Sequence, residues 1–576
     1  MQLGALCLGD LEVNFDANGA FARSIRLRGE EIFRGIGLVA RDGNWETPAL
    51  EASPDLSRYG DEFYIECKGT LVHADQELDW SLRWVVREDG LEARMKASSK
   101  AGFRTNRTGF VVLHSLGAAR GRPVRITHPD ESDEEAAFPE LVSPHQPFFD
   151  IAGMAYETQA GHAVSIAFEG EVFEGEVFET EDQRNWTDAS YKTYCRPLGR
   201  PFPYTIGSEG VTQIVRVRFR PASGRAEAAP APALGPSLRL PAIGTGSPPG
   251  TPPATLADAL QRLAPALTAI EIDPATPDAI AEARARIAAV TGDLRVDVRG
   301  GPQEATTDLL QALAPILAVR PNARVALWDR DTQTIKAMRD LLPDIPIGGG
   351  TGAFFTELNR MEAPAHVDFL SWTTNPTVHG YDDDTIGETT EPLGDILRTA
   401  SARWPRQTLE IGPATLGFRY NPNATSPQGR ARAAPPDPRQ GLPIGAAWML
   451  GTLCGFLHEH LASLCFFEPS GPKGLINANG RLTPAGHLFQ RLTHLEGVSA
   501  QRVTWSGQPR CQGLLLASGD ETMLAVANLQ AVAATIPGPD GVWTNVEILG
   551  QEGFEPSKLG VGGAIDLPGY SVAWVA

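Results

Sequence analysis

Two glutamates follow apolar runs directly in the second half of the chain. Glu410 follows TL in TLEIGP, and Glu468 follows SLCFF in SLCFFEP. If these runs are neighbouring parallel strands about 4.8 Å apart, carboxylates at their ends perturb each other, so that one can act as base and the other as acid. We therefore predict Glu410 and Glu468 as the catalytic pair, with the two roles left open between them. The alternative is that one of them only pairs with a nearby arginine.

A second set of polar residues lies in the segment EDQRNWTDASYKTY, residues 181–194. Neither the period of a strand nor that of a helix explains this mixture, whereas loops held by a rigid scaffold often carry binding residues. The segment offers donors and acceptors suited to a polyhydroxylated ring. From it we predict the substrate-binding residues Arg184, Asn185, Asp188, Lys192 and Tyr194. A purely structural polar network between domains is the alternative.

Further substrate-binding candidates stand outside that segment. His145 and Gln146 lie between prolines in SPHQPFFD, and Asn375 and His379 follow the apolar run VDFLSW. Arg419 begins the basic part of a long loop, residues 413–443. A loop of this length inside a compact domain is typical of a lid or of a disordered segment, and as a lid its arginines could stabilise an oxyanion.

The sequence predicts neither a metal nor a cofactor. It contains no HExxH or CxxC spacing, and GGGTG at 348–352 lacks the lysine of a phosphate-binding loop. Six cysteines scattered along the chain favour reduced thiols in a cytoplasmic protein. The net charge of -20 disfavours nucleic acid as a partner, and no apolar run of membrane-spanning length occurs. We expect a small molecule as the partner and leave the oligomeric state open.

Hydrophobic periodicity divides the chain into three folded parts. Short alternating runs up to about residue 220 predict an antiparallel β-sandwich, and eight apolar runs that alternate with amphipathic ones then predict a (β/α)8 TIM barrel. From about residue 500 the strand pattern returns and predicts a small C-terminal β-sandwich-like domain. The predicted boundaries are 1–222 for the sandwich, 223–237 for a linker, 238–498 for the barrel and 499–576 for the last domain.

One irregularity falls in the predicted sandwich. EGEVF occurs twice in tandem, at 169–173 and 174–178. A repeat of five residues reverses the side-chain faces of a strand, so both copies cannot occupy equivalent positions in one strand. We expect one copy to form a bulge or a loop.

Four segments of the N-terminal half resemble the D-apionate lactonase family. They are EDQRNWTDASYKTY, FRGIGLVARDGNW at 33–45, RTNRTGFVVLH at 104–114 and FPELVSPHQPFFDI at 138–151. The resemblance continues more loosely through the barrel and the last domain. It implies hydrolysis of the cyclic ester D-apionolactone to D-apionate in apiose catabolism, with a sugar lactone as substrate, and it supplies no assigned catalytic residues.

Two other functions compete with a lactonase. In a glycoside hydrolase, the two glutamates would be the acid and the nucleophile that flank a glycosidic bond. Barrel glycosidases commonly resemble one another in carrying the acid at the end of the fourth strand, where this chain has Asp329. That mismatch weakens the alternative. A carbohydrate-binding protein on an inactive enzyme scaffold is the third possibility, since a barrel alone does not define a function.

Overall fold

The structure is a computed structural model that describes residues 4–170, 178–223, 231–362, 365–419, 421, 423–539 and 543–576. Its internal contacts divide the chain into two compact units. The first unit consists of Met1–Arg184, Ala189–Ala226 and Tyr420–Arg432, and the second of Asn185–Asp188, Glu227–Arg419 and Ala433–Ala576. Two short segments, Asn185–Asp188 and Tyr420–Arg432, therefore belong to a different unit from the residues that flank them in sequence.

The first unit is built from two large antiparallel sheets that share one hydrophobic core. Alternation explains its strands: in Gln76–Arg87, Leu78, Trp80, Leu82 and Trp84 are buried while the residues between them are exposed. One sheet contains, in spatial order, Leu6–Leu8, Leu11–Phe15, Phe21–Leu27, Glu30–Arg41, Arg107–Ser115, Ser190–Tyr194, Phe178–Asp182 and Phe148–Ile151. The other contains Asp133–Ala137, Pro123–Thr127, Gly153–Glu157, Ala163–Glu169, Val211–Arg220, Gly90–Ser98, Gln76–Arg87, Glu62–His73 and Asp55–Tyr59.

Smaller elements complete this unit. Phe103–Thr105 pairs with Tyr204–Ile206, and Leu116–Ala119 forms one helical turn. Most of the tandem EGEVF, residues 171–177, lies outside the described residues, so the expectation of a bulge or loop there stays a prediction.

The second unit contains a closed barrel of eight parallel strands. Its strands are buried along almost their whole length, as parallel strands covered on both faces must be. They are β1 (Ala242–Ser247), β2 (Leu267–Ile272), β3 (Asp293–Val298), β4 (Ala323–Trp328), β5 (Ile347–Gly350), β6 (Phe369–Ser371), β7 (Thr408–Ala414) and β8 (Leu461–Phe466). The carboxyl ends of all eight strands meet at one face of the barrel, where active sites of this fold lie.

Helices follow the barrel strands in turn. They span Pro253–Leu263, Ala279–Ala289, Gln303–Ala318, Thr332–Leu341, Phe355–Arg360, Asp383–Glu388, Leu393–Arg403, Pro443–Phe456 and Pro484–Thr493. Two separate helices follow β6, because the first ends at Glu388 and Pro392 precedes the second. None of the described helices is long and apolar enough to cross a membrane.

The C-terminal β-region lies in the same unit as the barrel. Its sheet runs in the order Pro232–Leu234, Ser499–Trp505, Cys511–Ser518, Glu521–Asn528, Val572–Val575, Val546–Gly550 and Gly553–Ser557, and Leu238–Arg239 also pairs with Ser499–Trp505. Ala534–Ile536 pairs with Ile565–Leu567. The predicted fold class of sandwich, (β/α)8 barrel and C-terminal β-domain is confirmed. The end of the stretch predicted as a linker forms strand, since Pro232–Leu234 joins the C-terminal sheet.

Candidate functional site

Glu410 lies at the beginning of its strand and not at its end. It is the third residue of β7, which continues to Ala414. Arg324, near the start of β4, donates from Nη1 to Glu410 Oε1 at 3.0 Å, and Arg295 donates from Nη1 to Oε2 at 3.4 Å. Arg295 is fully buried and also holds Asp297 through two hydrogen bonds of 2.7 and 3.0 Å. Glu410 is therefore part of a buried ionic network within the barrel.

This placement does not support the predicted pairing of Glu410 with Glu468, and their catalytic assignment stays a prediction. Glu410 is in register with Ser463 on β8, five residues before Glu468. Glu410 thus lies near the start of β7, whereas Glu468 comes after the end of the neighbouring β8. Two carboxylates so placed are poorly suited to share the work at one reacting bond.

Glu468 does lie at the carboxyl end of the barrel, just after β8. Lys473 and Arg419 are close enough to attract it electrostatically. Arg419 follows β7 and forms an ion pair with Glu271 near the end of β2, and Arg299 after β3 also pairs with Glu271. These charged groups come from four strand ends and form the charged cluster at the barrel face: Glu271, Arg299, Arg419, Glu468 and Lys473.

Burial controls the protonation of this cluster. Removal from water raises the pKa of Glu468 above its ordinary value, and the attraction of Lys473 and Arg419 only partly offsets this effect. Burial also lowers the pKa of Lys473, against the attraction of Glu468. Lys473 Nζ donates to the carbonyl of Ala434 at 2.8 Å. A carboxyl group with a raised pKa, beside two cations, is suited to proton transfer.

The segment Asn185–Asp188, here called the 185–188 loop, lies in the barrel unit. Asn185 is buried, and its side-chain oxygen accepts a hydrogen bond of 2.9 Å from Asn359. Thr187, at a φ of 68°, donates from its hydroxyl to the carbonyl of Asn375 at 2.9 Å. A β-branched residue rarely adopts a positive φ, so the contacts of Asn185 and Thr187 must hold this loop in place.

Asp188 binds His379, which follows β6. The carboxylate Oδ2 lies against His379 Nδ1, and about a quarter of the His379 side chain is exposed. Trp186 packs edge-on against the imidazole with ring centroids 5.7 Å apart. Trp186 also joins Phe354, Val378 and Phe418 in a small apolar cluster. The predicted residues Asp188 and His379 are thus direct partners, and the buried Trp186 supports them.

The side chain of Asn375 binds the neighbouring backbone. It is buried, and its side-chain oxygen accepts from the backbone N–H of Thr377 at 3.1 Å. This bond shapes the turn that leads to His379. Asn185 and Asn375 therefore position the loop and the turn around His379, and their predicted role in substrate binding is not supported by direct geometry.

Arg184 lies in the first unit and is fully buried. Its guanidinium donates to both oxygens of Asp182, at 2.9 and 2.7 Å, and to the carbonyls of Pro139 and Glu140, each at 2.8 Å. An arginine so enclosed serves to hold the segment 139–141 against Asp182. These contacts favour a structural role for Arg184, and its predicted role in substrate binding stays a prediction.

Lys192 and Tyr194 are also buried in the first unit. Lys192 Nζ lies 3.3 Å from Glu181, and the hydroxyl of Tyr194 donates to Glu179. The Arg107 guanidinium lies 3.7 Å from the centre of the Tyr194 ring. These side chains form an internally paired ionic layer on the strands Phe178–Asp182 and Ser190–Tyr194, so their role in binding stays a prediction.

His145 and Gln146 differ in their surroundings. Gln146 donates to the Tyr194 hydroxyl at 3.4 Å, whereas His145 is exposed and its carbonyl accepts from Ser143 at 2.8 Å. Their predicted role as substrate ligands also stays a prediction.

Described residues of the long loop after β7 make contacts within each unit. Within the first unit, Asn421 donates to the carbonyl of Asn44 at 3.1 Å and Ser426 donates to its side-chain oxygen at 2.8 Å. In the second unit, Arg439 pairs with Asp437 and Asp383. Of the loop arginines that the sequence singles out, Arg419 is the one paired at a barrel strand end.

Sequence reasoning gave no role to Glu271, Arg299 or Lys473. Glu271 and Arg299 each lie at the end of an apolar run, and this position at a predicted strand end is the signal that could have identified them. Lys473 follows β8 in a turn and has no such signal. Among the residues that the structure describes, no three His, Cys, Asp or Glu side chains come together as a metal-binding group.

The solved structures found by comparison are remote from this chain. A GH30 endoxylanase from Clostridium papyrosolvens is 10% identical, with a TM-score of 0.39 over 59% of this chain and 97% of that chain. A GH36 alpha-galactosidase from Geobacillus stearothermophilus is 9% identical, with a TM-score of 0.28 over 94% of this chain and 86% of that chain.

Sequence comparison gives a more specific result. The model of the D-apionate lactonase N-terminal domain matches residues 2–222, and that of the D-apionate lactonase TIM barrel domain matches residues 243–497. A D-apionate lactonase of Brucella anthropi is 30% identical over 539 residues, covering 85% of this chain and 87% of the relative. Since the two domain models together match most of its length, this chain belongs to the D-apionate lactonase family.

Proposed function

We propose that this protein hydrolyses a sugar lactone, D-apionolactone or a similar aldonolactone, to the open sugar acid. The family and the relative from Brucella anthropi support the reaction class. The observation that carries the proposal is the position of Glu468 at the carboxyl end of the barrel, with a raised pKa and with Lys473 and Arg419 beside it. In this role the enzyme supplies D-apionate to apiose catabolism.

The reaction requires charge stabilisation at one oxygen and a proton at another. Water adds to the lactone carbonyl carbon and forms a tetrahedral intermediate whose negative charge lies on the former carbonyl oxygen. Arg419 and Lys473 supply the positive charge that stabilises this oxyanion. When the bond to the ring oxygen breaks, Glu468 passes a proton to that oxygen, and the product is the hydroxy acid.

The same geometry weakens the glycoside hydrolase alternative. Retaining and inverting glycosidases keep their two carboxyl groups within about 5 to 10 Å of each other. Glu410 and Glu468 are offset by five residues in register on neighbouring strands, and Glu410 is bound to Arg295 and Arg324. The acid and nucleophile assignment for these two residues therefore has no support.

One experiment separates the three functions. Proton release in a pH-stat is measured with a panel of aldonolactones that includes D-apionolactone, beside a panel of nitrophenyl glycosides, each with and without chelator. Each rate is corrected for spontaneous lactone opening. The proposal predicts turnover of lactones and none of glycosides. Turnover of glycosides alone would identify a glycosidase, and turnover of neither panel would favour a carbohydrate-binding protein.

A further inference from the structure

Both carboxylates of the charged cluster at the barrel face are engaged by cations. Glu468 sits beside two cations with a raised pKa, and Glu271 is bound by two arginines. Water nevertheless needs a group that removes its proton as it attacks. A histidine is the side chain whose ordinary pKa lies closest to neutral pH.

His379 has the surroundings of such a base. Asp188 holds its Nδ1, which fixes the neutral ring as the tautomer with the proton on Nδ1 and the lone pair on Nε2. A carboxylate on one ring nitrogen also stabilises the imidazolium that forms when the other nitrogen accepts a proton. The side chain lies after β6 at the carboxyl end of the barrel, and a quarter of it is exposed.

The 185–188 loop is docked residue by residue, which gives the pair a fixed geometry. Asn185 accepts from Asn359, Trp186 packs on Phe354, Thr187 donates to Asn375, and Asp188 binds His379. Every one of these partners belongs to the barrel unit. A loop used only to fill space would not need a strained Thr187 to present a carboxylate to a histidine.

Other charged and titratable groups lie on the elements packed around the pair. The Arg360 guanidinium is 5.7 Å from the centre of the Trp186 ring, Glu357 bonds the backbone N–H of Phe354, and Arg419 follows Phe418 and pairs with Glu271. Tyr381 is near Phe418, with ring centroids 6.4 Å apart. Asp188 contacts His379 directly, with Oδ2 against Nδ1.

We infer that His379 is the general base that activates water and that Asp188, delivered by the 185–188 loop, is its positioning residue; this rests on the proposed lactone hydrolysis. His379 Nε2 takes one proton from water while the water oxygen bonds to the lactone carbonyl carbon. Collapse of the intermediate breaks the bond to the ring oxygen, which is protonated by Glu468. The new carboxyl group passes its proton to Glu468, the imidazolium returns its proton to solvent, and the carboxylate product leaves, so that each turnover restores both residues and releases one proton.

The test is the pH dependence of kcat/KM with D-apionolactone for four proteins: wild type, His379→Gln, Asp188→Asn and His128→Gln. His128 is the matched control, because it pairs with Glu134 at 3.4 Å with 23% of its side chain exposed, in the first unit. The kcat/KM of His128→Gln should match that of the wild type at every pH. His379→Gln should lose about 10² to 10⁴-fold, the range for removal of a general base, together with the acid limb of the profile.

Asp188→Asn should lower kcat and move the acid limb to lower pH, since a histidine without its carboxylate has a lower pKa. Imidazole added to His379→Gly should restore part of the rate, which a structural role would not allow. An NMR titration of His379 in the wild type should give the pKa of the acid limb, and this measurement needs no variant to fold.

The outcomes are distinct. Full activity of His379→Gln, or an acid limb that stays in place in Asp188→Asn, overturns the assignment while lactone hydrolysis stands. An NMR pKa of His379 that differs from the kinetic limb also overturns it. If the wild type opens no lactone, the proposed function itself is wrong.

Discussion

Arg324 Nη1 lies 3.0 Å from Glu410 Oε1, and both residues stand near the start of their barrel strands. The amino ends of barrel strands serve stability, whereas the carboxyl ends carry catalysis. The arginine therefore marks which end of the barrel Glu410 belongs to, and its ion pair explains why a glutamate is buried there.

Glu410→Gln should destabilise the protein and leave turnover per folded molecule unchanged. The substitution removes one charge from a buried network and leaves Arg295 and Arg324 without it. Such a loss costs about 3 to 5 kcal/mol, towards the lower end here because Arg324 is partly exposed. Thermal unfolding and active-site-normalised kcat test this, with the exposed Glu459→Gln as control. A stable variant with a 100-fold lower kcat would restore the catalytic role of Glu410.

Glu468→Gln should lower kcat by about 10²-fold or more, because it removes the group proposed to protonate the ring oxygen. It should also raise Tm at neutral pH. Burial raises the folded-state pKa of Glu468 above its unfolded value. The contribution of Glu468 to the free energy of unfolding is therefore complete at low pH, where the carboxyl group is protonated. It is lost as the pH rises through the folded-state pKa.

Glutamine never ionises, so it avoids this loss above the folded pKa of Glu468. The Tm difference between variant and wild type should shrink as the pH falls. Unfolding curves across a pH series measure it. A variant that melts below wild type at neutral pH would show that attraction to Lys473 and Arg419 outweighs burial.

The order of the elements could be predicted from the sequence because burial on both faces of a barrel strand leaves a continuous apolar run. The position at which β7 ends could not be predicted from the sequence. Gly412 and Pro413 read as a turn after Glu410, yet Gly412 lies inside the strand at a φ of 130°, where a Cβ would lie 2.6 Å from the Cys465 carbonyl oxygen. The glycine serves a close backbone approach, which a pattern of residue types does not distinguish from a turn.

The residue types suggested candidates for the site, but the pairing of Asp188 with His379 could not be predicted from the sequence. Asp188 and His379 are 191 positions apart, and no periodicity links a loop of the sandwich sequence to a barrel loop. Arg184 and Asp188 look alike as polar members of one segment. Only the fold separates them, because the chain passes from the first unit to the second between Arg184 and Asn185.

Arg419→Ala should lower kcat/KM by about 10 to 10³-fold with little change in Tm, because Arg299 still pairs with Glu271 after the loss. Arg419→Lys keeps a positive charge and should recover part of the rate if the role is oxyanion stabilisation. Arg432→Ala is the control, since Arg432 is exposed and pairs with Glu46 in the first unit. Equal rates for the Arg419 and Arg432 variants would exclude Arg419 from the site.

Arg184→Ala should lower Tm strongly while the folded fraction turns over at the wild-type rate. The truncation leaves the fully buried Asp182 carboxylate without its arginine and removes the donors to the carbonyls of Pro139 and Glu140. Loss of one partner of a buried pair costs about 3 to 5 kcal/mol. The control is Arg218→Ala, which removes an exposed pair with Asp89 in the same unit and should cost at most about 1 kcal/mol. Urea unfolding and kcat are measured on both variants. If Arg184→Ala instead keeps its stability and loses activity, Arg184 acts on the substrate and its pairing with Asp182 is not its main role.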